Sequence, residues 1–189
     1  MSYRARDLLL VPGLLSLARI PLAILFPFVA SRPLAALVVL VVSGATDVVD
    51  GWWARRYEQT TATGAAVDPI TDKLFVASVV VTLVVLGKLS PMGVLMLATR
   101  EVGELPLVLW LAASHAARKA RVEQPLANLP GKMATLLQFA AVAAALFASP
   151  YTDGLLVATA LVGTLAAASY WVREVKRFRA DRAGRRDPG

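Results

Sequence analysis

The sequence predicts an all-α integral membrane protein with six transmembrane helices and both termini cytoplasmic. Three observations carry that reading. Of the 189 residues 57% are hydrophobic and mean hydropathy is +0.62, too apolar for a soluble domain of this size. Apolar runs recur at about the 20 residues a helix needs to cross the hydrocarbon core, at roughly 8–30, 34–54, 69–87, 91–113, 130–149 and 152–172. Basic residues then alternate sides. Arg4 and Arg6, Arg55 and Arg56, Arg118, Lys119 and Arg121, and the tail from Arg173 to Arg186 share one side, and only Arg32 and Lys88 fall on the other. Positively charged loops stay inside, so the first set faces the cytoplasm of the cell (inner) membrane.

The first span contains Pro12, Pro21 and Pro27, which imply a kinked helix. Arg19 lies within this apolar run and must face the bundle interior or snorkel to the interface. A structural role and a functional one fit it equally. The second and third spans carry acids at their cytoplasmic ends, with Trp52 and Trp53 as expected interface anchors. In the fourth span Arg100, Glu101 and Glu104 should pair internally if embedded, although Arg100 also has the chemistry to meet an anionic substrate. His115, the one histidine, falls among Ala and Ser at a span end and is read as interfacial. Lys132 begins the fifth span, as an interfacial anchor or a phosphate contact.

Residues 1–175 are expected to form one membrane domain, and 176–189 a basic cytoplasmic tail that attracts anionic lipid headgroups. The first apolar stretch lacks a small-residue cleavage pattern, so no cleavable signal peptide is expected. The net charge of +7 reads as an orientation signal, and no nucleic-acid partner is expected. Without cysteine the chain has no disulfide and no thiolate metal site, and with one histidine it offers no Ser-His-Asp or Cys-His dyad for covalent catalysis.

Chemistry concentrates between Asp47 and Asp72. Asp47 and Asp50 are spaced i,i+3, and Asp68 and Asp72 i,i+4, so each pair shares a helix face. Like charges repel at that distance, and acids within a membrane span are costly. Capping accounts for only one of the four, Asp68 before Pro69. Convergent carboxylates suit hard divalent cations, which favour oxygen ligands. Intramembrane acids also mark ion paths, so an ion or proton transporter is the alternative of another class; clustering of all four at one face argues against it.

The pattern Asp47-x2-Asp50-Gly51-x2-Ala54-Arg55-x8-Gly64-x3-Asp68-x3-Asp72 resembles the motif of the CDP-alcohol phosphatidyltransferases, with each of its eight fixed positions filled. Pro12, Ser16 and Arg19 fit that family's first-span element, whereas Gly13 stands where the family has Asn. The resemblance implies metal-dependent transfer of a phosphatidyl group from CDP-diacylglycerol to an alcohol, with release of CMP. It implies two Mg²⁺ or Mn²⁺ ions held by Asp47, Asp50, Asp68 and Asp72, with Asp72 also the base. CDP-lipid contacts would fall on Gly51, Ala54, Arg55, Thr61, Gly64, Pro12 and Ser16, and acceptor contacts on Lys132, Arg100 and Arg118. A homodimer is expected on the same ground.

The acceptor is read from two further elements. Asp68-Pro69-x-x-Asp72-Lys73 and Gly131-Lys132-x-x-Thr135-x-x-Gln138 resemble the phosphatidylglycerophosphate synthase and cardiolipin synthase branches. Glycerol 3-phosphate ranks first, phosphatidylglycerol second and inositol phosphate third. The fourth span lacks a second arginine expected of the first branch, and the basic, proline-containing 118–130 stretch leans to the second.

Overall fold

The computed structural model describes residues 10–57, 62–113 and 129–184. Thr61, His115, Arg118 and residues 185–189 lie outside them, as do the side chains of Pro12 and Arg55. Every regular element among the described residues is an α-helix: α1 (Val11–Leu17), α2 (Arg19–Val29), α3 (Pro33–Arg56), α4 (Ala62–Val85), α5 (Pro91–Leu97), α6 (Thr99–Ala113), α7 (Leu129–Leu146) and α8 (Thr152–Gly184). The chain packs as two units, Met1–Leu89 and Ser90–Gly189.

In the first unit, α1 and α2 each pack against α3 and α4. Proline shapes this region. Pro21 has no N–H and crowds the carbonyl of Leu17, so α1 ends there and α2 restarts at Arg19. Pro27, by contrast, stays inside α2. Phe26 is buried and meets the Phe75 ring edge-on at 6.2 Å, with Ala23, Ala30, Val79 and Leu83 buried around them. Helix α4 stops at Gly87, whose φ of +68° closes the turn as Lys88 N–H donates to the Leu83 carbonyl.

The second unit is built on α8, which packs against α5, α6 and α7. Lipid tails are as apolar as leucine, so helices in a bilayer associate through close packing and small residues. Gly103 on α6 shows this: a Cβ added there would lie 2.7 Å from Ala167 Cβ on α8. Trp171 Nε1 donates to the Gly103 carbonyl at 2.9 Å, and Leu107, Ala134, Ala166 and Tyr170 form the buried cluster beside it. The break between α5 and α6 has no proline. Thr99, the first residue after the break, is placed to donate its hydroxyl proton back to the Leu95 or the Met96 carbonyl.

Among the described residues three helices are long and apolar enough to cross a membrane: Pro33–Ala54, Leu129–Leu146 and Thr152–Lys176. By that measure the sequence expectation of six is not reached, for physical reasons. The first and fourth expected spans are each divided into two short helices, at Ala18 and Ala98, and α4 has the length but carries Asp68, Asp72 and Lys73. Leu34, Val38, Val41 and Val48 on α3, and Leu74, Val81 and Val85 on α4, are exposed, an apolar surface suited to lipid. The expected tail boundary at 175 falls within α8, which runs unbroken to Gly184.

Candidate active site

Asp47 and Asp50 stand on the last turns of α3, and Asp68 and Asp72 on the first turns of α4. What joins the two helices comes from the break at Ala18. Ser16, near the end of α1, and Arg19, opening α2, are buried side chains three residues apart. Arg19 Nη2 donates to Asp47 Oδ1 at 2.9 Å and to Asp50 Oδ2 at 2.6 Å. Ser16 Oγ lies against Asp68 Oδ1 and is 3.3 Å from Asp50 Oδ2. A hydroxyl has one proton to donate, so Ser16 serves Asp68 and Asp50 one at a time.

The acids differ in exposure. The Asp50 side chain is 7% exposed and that of Asp47 61%; Asp68 is half-buried and Asp72 exposed. A buried carboxylate is tolerated only when paired and hydrogen-bonded, and Arg19 with Ser16 supplies that for Asp50. The guanidinium is itself only partly satisfied: Nε and Nη1 are buried with no hydrogen-bond partner among the described residues.

No group of three or more His, Asp or Glu side chains among the described residues is gathered closely enough to hold an ion. The donor set nonetheless fits a hard divalent cation in kind, being carboxylate and hydroxyl oxygens throughout. Two of the four acids also converge, Asp47 and Asp50 meeting on one positively charged nitrogen of Arg19. Gly51 and Ala54, both half-buried, follow Asp50 on α3, and Gly64 lies in the first turn of α4.

The candidate acceptor residues belong to the second unit. Lys132 is exposed in the first turn of α7. Arg100 is engaged within the unit: its Nε donates to Glu104 Oε1 at 3.0 Å, and its Nη1 to Thr135 Oγ1 at 2.8 Å and the Gly131 carbonyl at 3.3 Å. Gln138 Nε2 reaches Glu101 at 3.1 Å and the Leu97 carbonyl at 2.8 Å. The Gly131–Gln138 element therefore locks α7 to α5 and α6, and the internal pairing expected of Arg100 and Glu104 is formed.

Two features escaped sequence reasoning. Ser16, which the family resemblance places at the CDP-lipid, is within hydrogen-bond reach of the carboxylates of Asp50 and Asp68. Arg19 had no settled role, and it is the hub of the cluster. A usable signal existed: a lone cation in an apolar run, one turn from a hydroxyl, in a chain with four acids to neutralise.

Residues 9–172 match the description CDP-alcohol phosphatidyltransferase, spanning the four acids and all eight fixed positions of the motif. The chain belongs to the CDP-alcohol phosphatidyltransferase family. It is 29% identical over 153 residues to the CDP-diacylglycerol–glycerol-3-phosphate 3-phosphatidyltransferase of Bacillus subtilis, covering 72% of this chain and 76% of that one. It is 34% identical over 135 residues to the CMP-forming cardiolipin synthase of Streptomyces coelicolor, covering 67% and 60%. A shorter stretch of 73 residues is 42% identical to the glycerol-3-phosphate enzyme of Pectobacterium atrosepticum, covering 35% and 40%. As a phosphatidyltransferase of this family, the chain carries its acids where α1 to α4 meet.

Proposed function

We propose that the chain transfers a phosphatidyl group from CDP-diacylglycerol to the hydroxyl of glycerol 3-phosphate, releasing CMP. A new bond forms between the acceptor oxygen and the lipid phosphorus, and the bond from that phosphorus to the CMP oxygen breaks. The observation that carries the reading is the convergence of Asp47, Asp50 and Asp68 on Arg19 and Ser16 within an intact motif. The Bacillus subtilis relative supports the choice of acceptor. Asp47, Asp50, Asp68 and Asp72 would hold two divalent cations, Mg²⁺ or Mn²⁺, which when bound neutralise charge on the diphosphate. Asp72, exposed one turn beyond Asp68, accepts the proton of the attacking hydroxyl. Gly51 leaves room for the substrate beside Asp50, and Arg55 offers a planar donor fork to phosphate. Lys132 is the candidate contact for the acceptor phosphate.

The divided helices and α4 cross the bilayer with the three long helices in this reading, giving six spans, with the acids and both termini at the cytoplasmic face of the cell membrane in a homodimer. A second acceptor, phosphatidylglycerol, is favoured by the Streptomyces coelicolor relative. Purified chain incubated with CDP-diacylglycerol, Mg²⁺ or Mn²⁺ and each acceptor in turn decides between them by lipid product analysis. Phosphatidylglycerophosphate is the expected product. Cardiolipin instead would move the assignment to the second acceptor, and no CMP release with any acceptor would overturn the reading.

A further inference from the structure

Arg19 is a cation lodged among candidate cation ligands, and its bonding is unusual for a structural ion pair. Arginine–carboxylate pairs are frequently bidentate, with two parallel N–H donors on one carboxylate. Here a single nitrogen, Nη2, is shared by Asp47 Oδ1 and Asp50 Oδ2, while Nε and Nη1 are buried without a hydrogen-bond partner among the described residues. The side chain is 1% exposed, so those unmade bonds are costly. The guanidinium acts as a point charge placed between two acids.

We propose that Arg19 is a built-in counter-cation of the aspartate cluster, occupying the Asp47 and Asp50 oxygens until a divalent ion takes them. The proposal rests on the reading of those aspartates as metal ligands. Exchange follows from charge and geometry. The N–H groups of Nη2 take up one oxygen of each carboxylate, and a guanidinium left there would sit beside a doubly charged ion bound to the same two acids. Ser16 is neutral, so its contacts with Asp50 and Asp68 carry no such conflict. The counter-cation also accounts for tolerance of the acids before an ion is present: Asp50, the most buried of them, is the one that both Arg19 and Ser16 contact.

The test is Mn²⁺ binding to the purified full chain in detergent without nucleotide, read from the spin-resonance signal of free Mn²⁺. R19Q, which keeps polarity and loses the charge, is expected to bind Mn²⁺ at least roughly tenfold more tightly than wild type, because no charge-assisted bond has to be broken first. R19K, which keeps the charge, is expected to bind close to wild type. Equal or weaker binding by R19Q, or binding by R19K as tight as by R19Q, would overturn the exchange. Absence of saturable binding in wild type and R19Q alike would overturn the metal reading beneath it. Wild-type chain provides a check free of folding effects. Phenylglyoxal modification of Arg19, resolved by peptide mass spectrometry, is expected to rise with Mn²⁺ over the same concentration range as binding, and unchanged modification would overturn the proposal.

Discussion

Ser78 Oγ on α4 donates to the Ala23 carbonyl on α2 at 2.6 Å, and Ala23 lies four residues before Pro27. That carbonyl is the one the missing proline N–H leaves without a helical partner. Hydroxyl side chains from neighbouring helices supply such bonds where no water is at hand. The bond therefore permits a proline within α2 and fastens α2 to α4, just beyond the acids.

Ser78→Ala is expected to destabilise the protein by about 0.5–1.5 kcal/mol, the range for one such bond. Thermal unfolding of the purified protein in detergent measures it. In a Pro27→Ala background, where the helix can satisfy the Ala23 carbonyl itself, the same substitution should cost less. Equal losses in both backgrounds would mean that Ser78 matters for another reason.

Asp72→Asn should lower the transfer rate by about 10²–10⁴-fold, as expected for loss of a general base, while divalent-dependent CDP-lipid binding persists. Asp47→Ala should remove both, since it takes away one of the two carboxylates that converge on Arg19. Rate and binding assays on the same preparations separate the roles. Parallel loss of binding in Asp72→Asn would make that residue chiefly a metal ligand.

Lys132→Ala should raise the KM for a phosphorylated acceptor far more than the KM for CDP-diacylglycerol. Lys132 is exposed at the start of α7, whereas its neighbours Gly131, Thr135 and Gln138 are engaged in holding that helix. Steady-state kinetics varying each substrate in turn gives the comparison. Equal changes in both constants would remove Lys132 from the acceptor site.

The sequence disclosed the parts of this site whose spacing is local. Asp47 with Asp50 and Asp68 with Asp72 follow from helix periodicity, as does the i,i+4 pair of Arg100 and Glu104. Prolines in the first span announced a distorted helix, but not where it would divide. Pro21 divides it, while Pro27 is accommodated because Ser78, 55 residues from Ala23, happens to reach across. The break at Ala98 had only Thr99 to announce it, and Thr71, Thr82, Thr159 and Thr164 make the same backward bond inside unbroken helices. Partners of Arg19, 28 and 31 residues away, depended on how α1 and α2 settle against α3 and were invisible to periodicity.

Gly103→Ala should destabilise the second unit by about 1–3 kcal/mol, as overpacking does. The added Cβ would lie 2.7 Å from Ala167 Cβ, so α6 and α8 must separate, straining the Trp171 bond to the Gly103 carbonyl. Ala167→Gly combined with it should recover much of the loss, and thermal unfolding checks both. No recovery would place the strain elsewhere.

Two helices end in the same kind of turn with different residues at its left-handed position. After α4 the residue is Gly87, with φ +68°; after α7 it is Ala148, with φ +51°. The bonding matches: Lys88 N–H reaches the Leu83 carbonyl at 2.9 Å, and Ser149 N–H the Ala144 carbonyl at 3.0 Å. An L-residue with a Cβ costs roughly 1–2 kcal/mol in this conformation, and glycine avoids that cost at the expense of a more flexible unfolded chain. Ala148→Gly is therefore expected to stabilise the protein by about 0.5–1 kcal/mol, and Gly87→Ala to destabilise it by a similar amount. No atom lies within 4 Å of a Cβ built on Gly87, so its substitution tests the backbone alone. Opposite shifts in the thermal midpoint of the two variants are the expected result. A loss of stability in Ala148→Gly would mean that the Ala148 methyl contributes more through packing than its backbone gives up in strain.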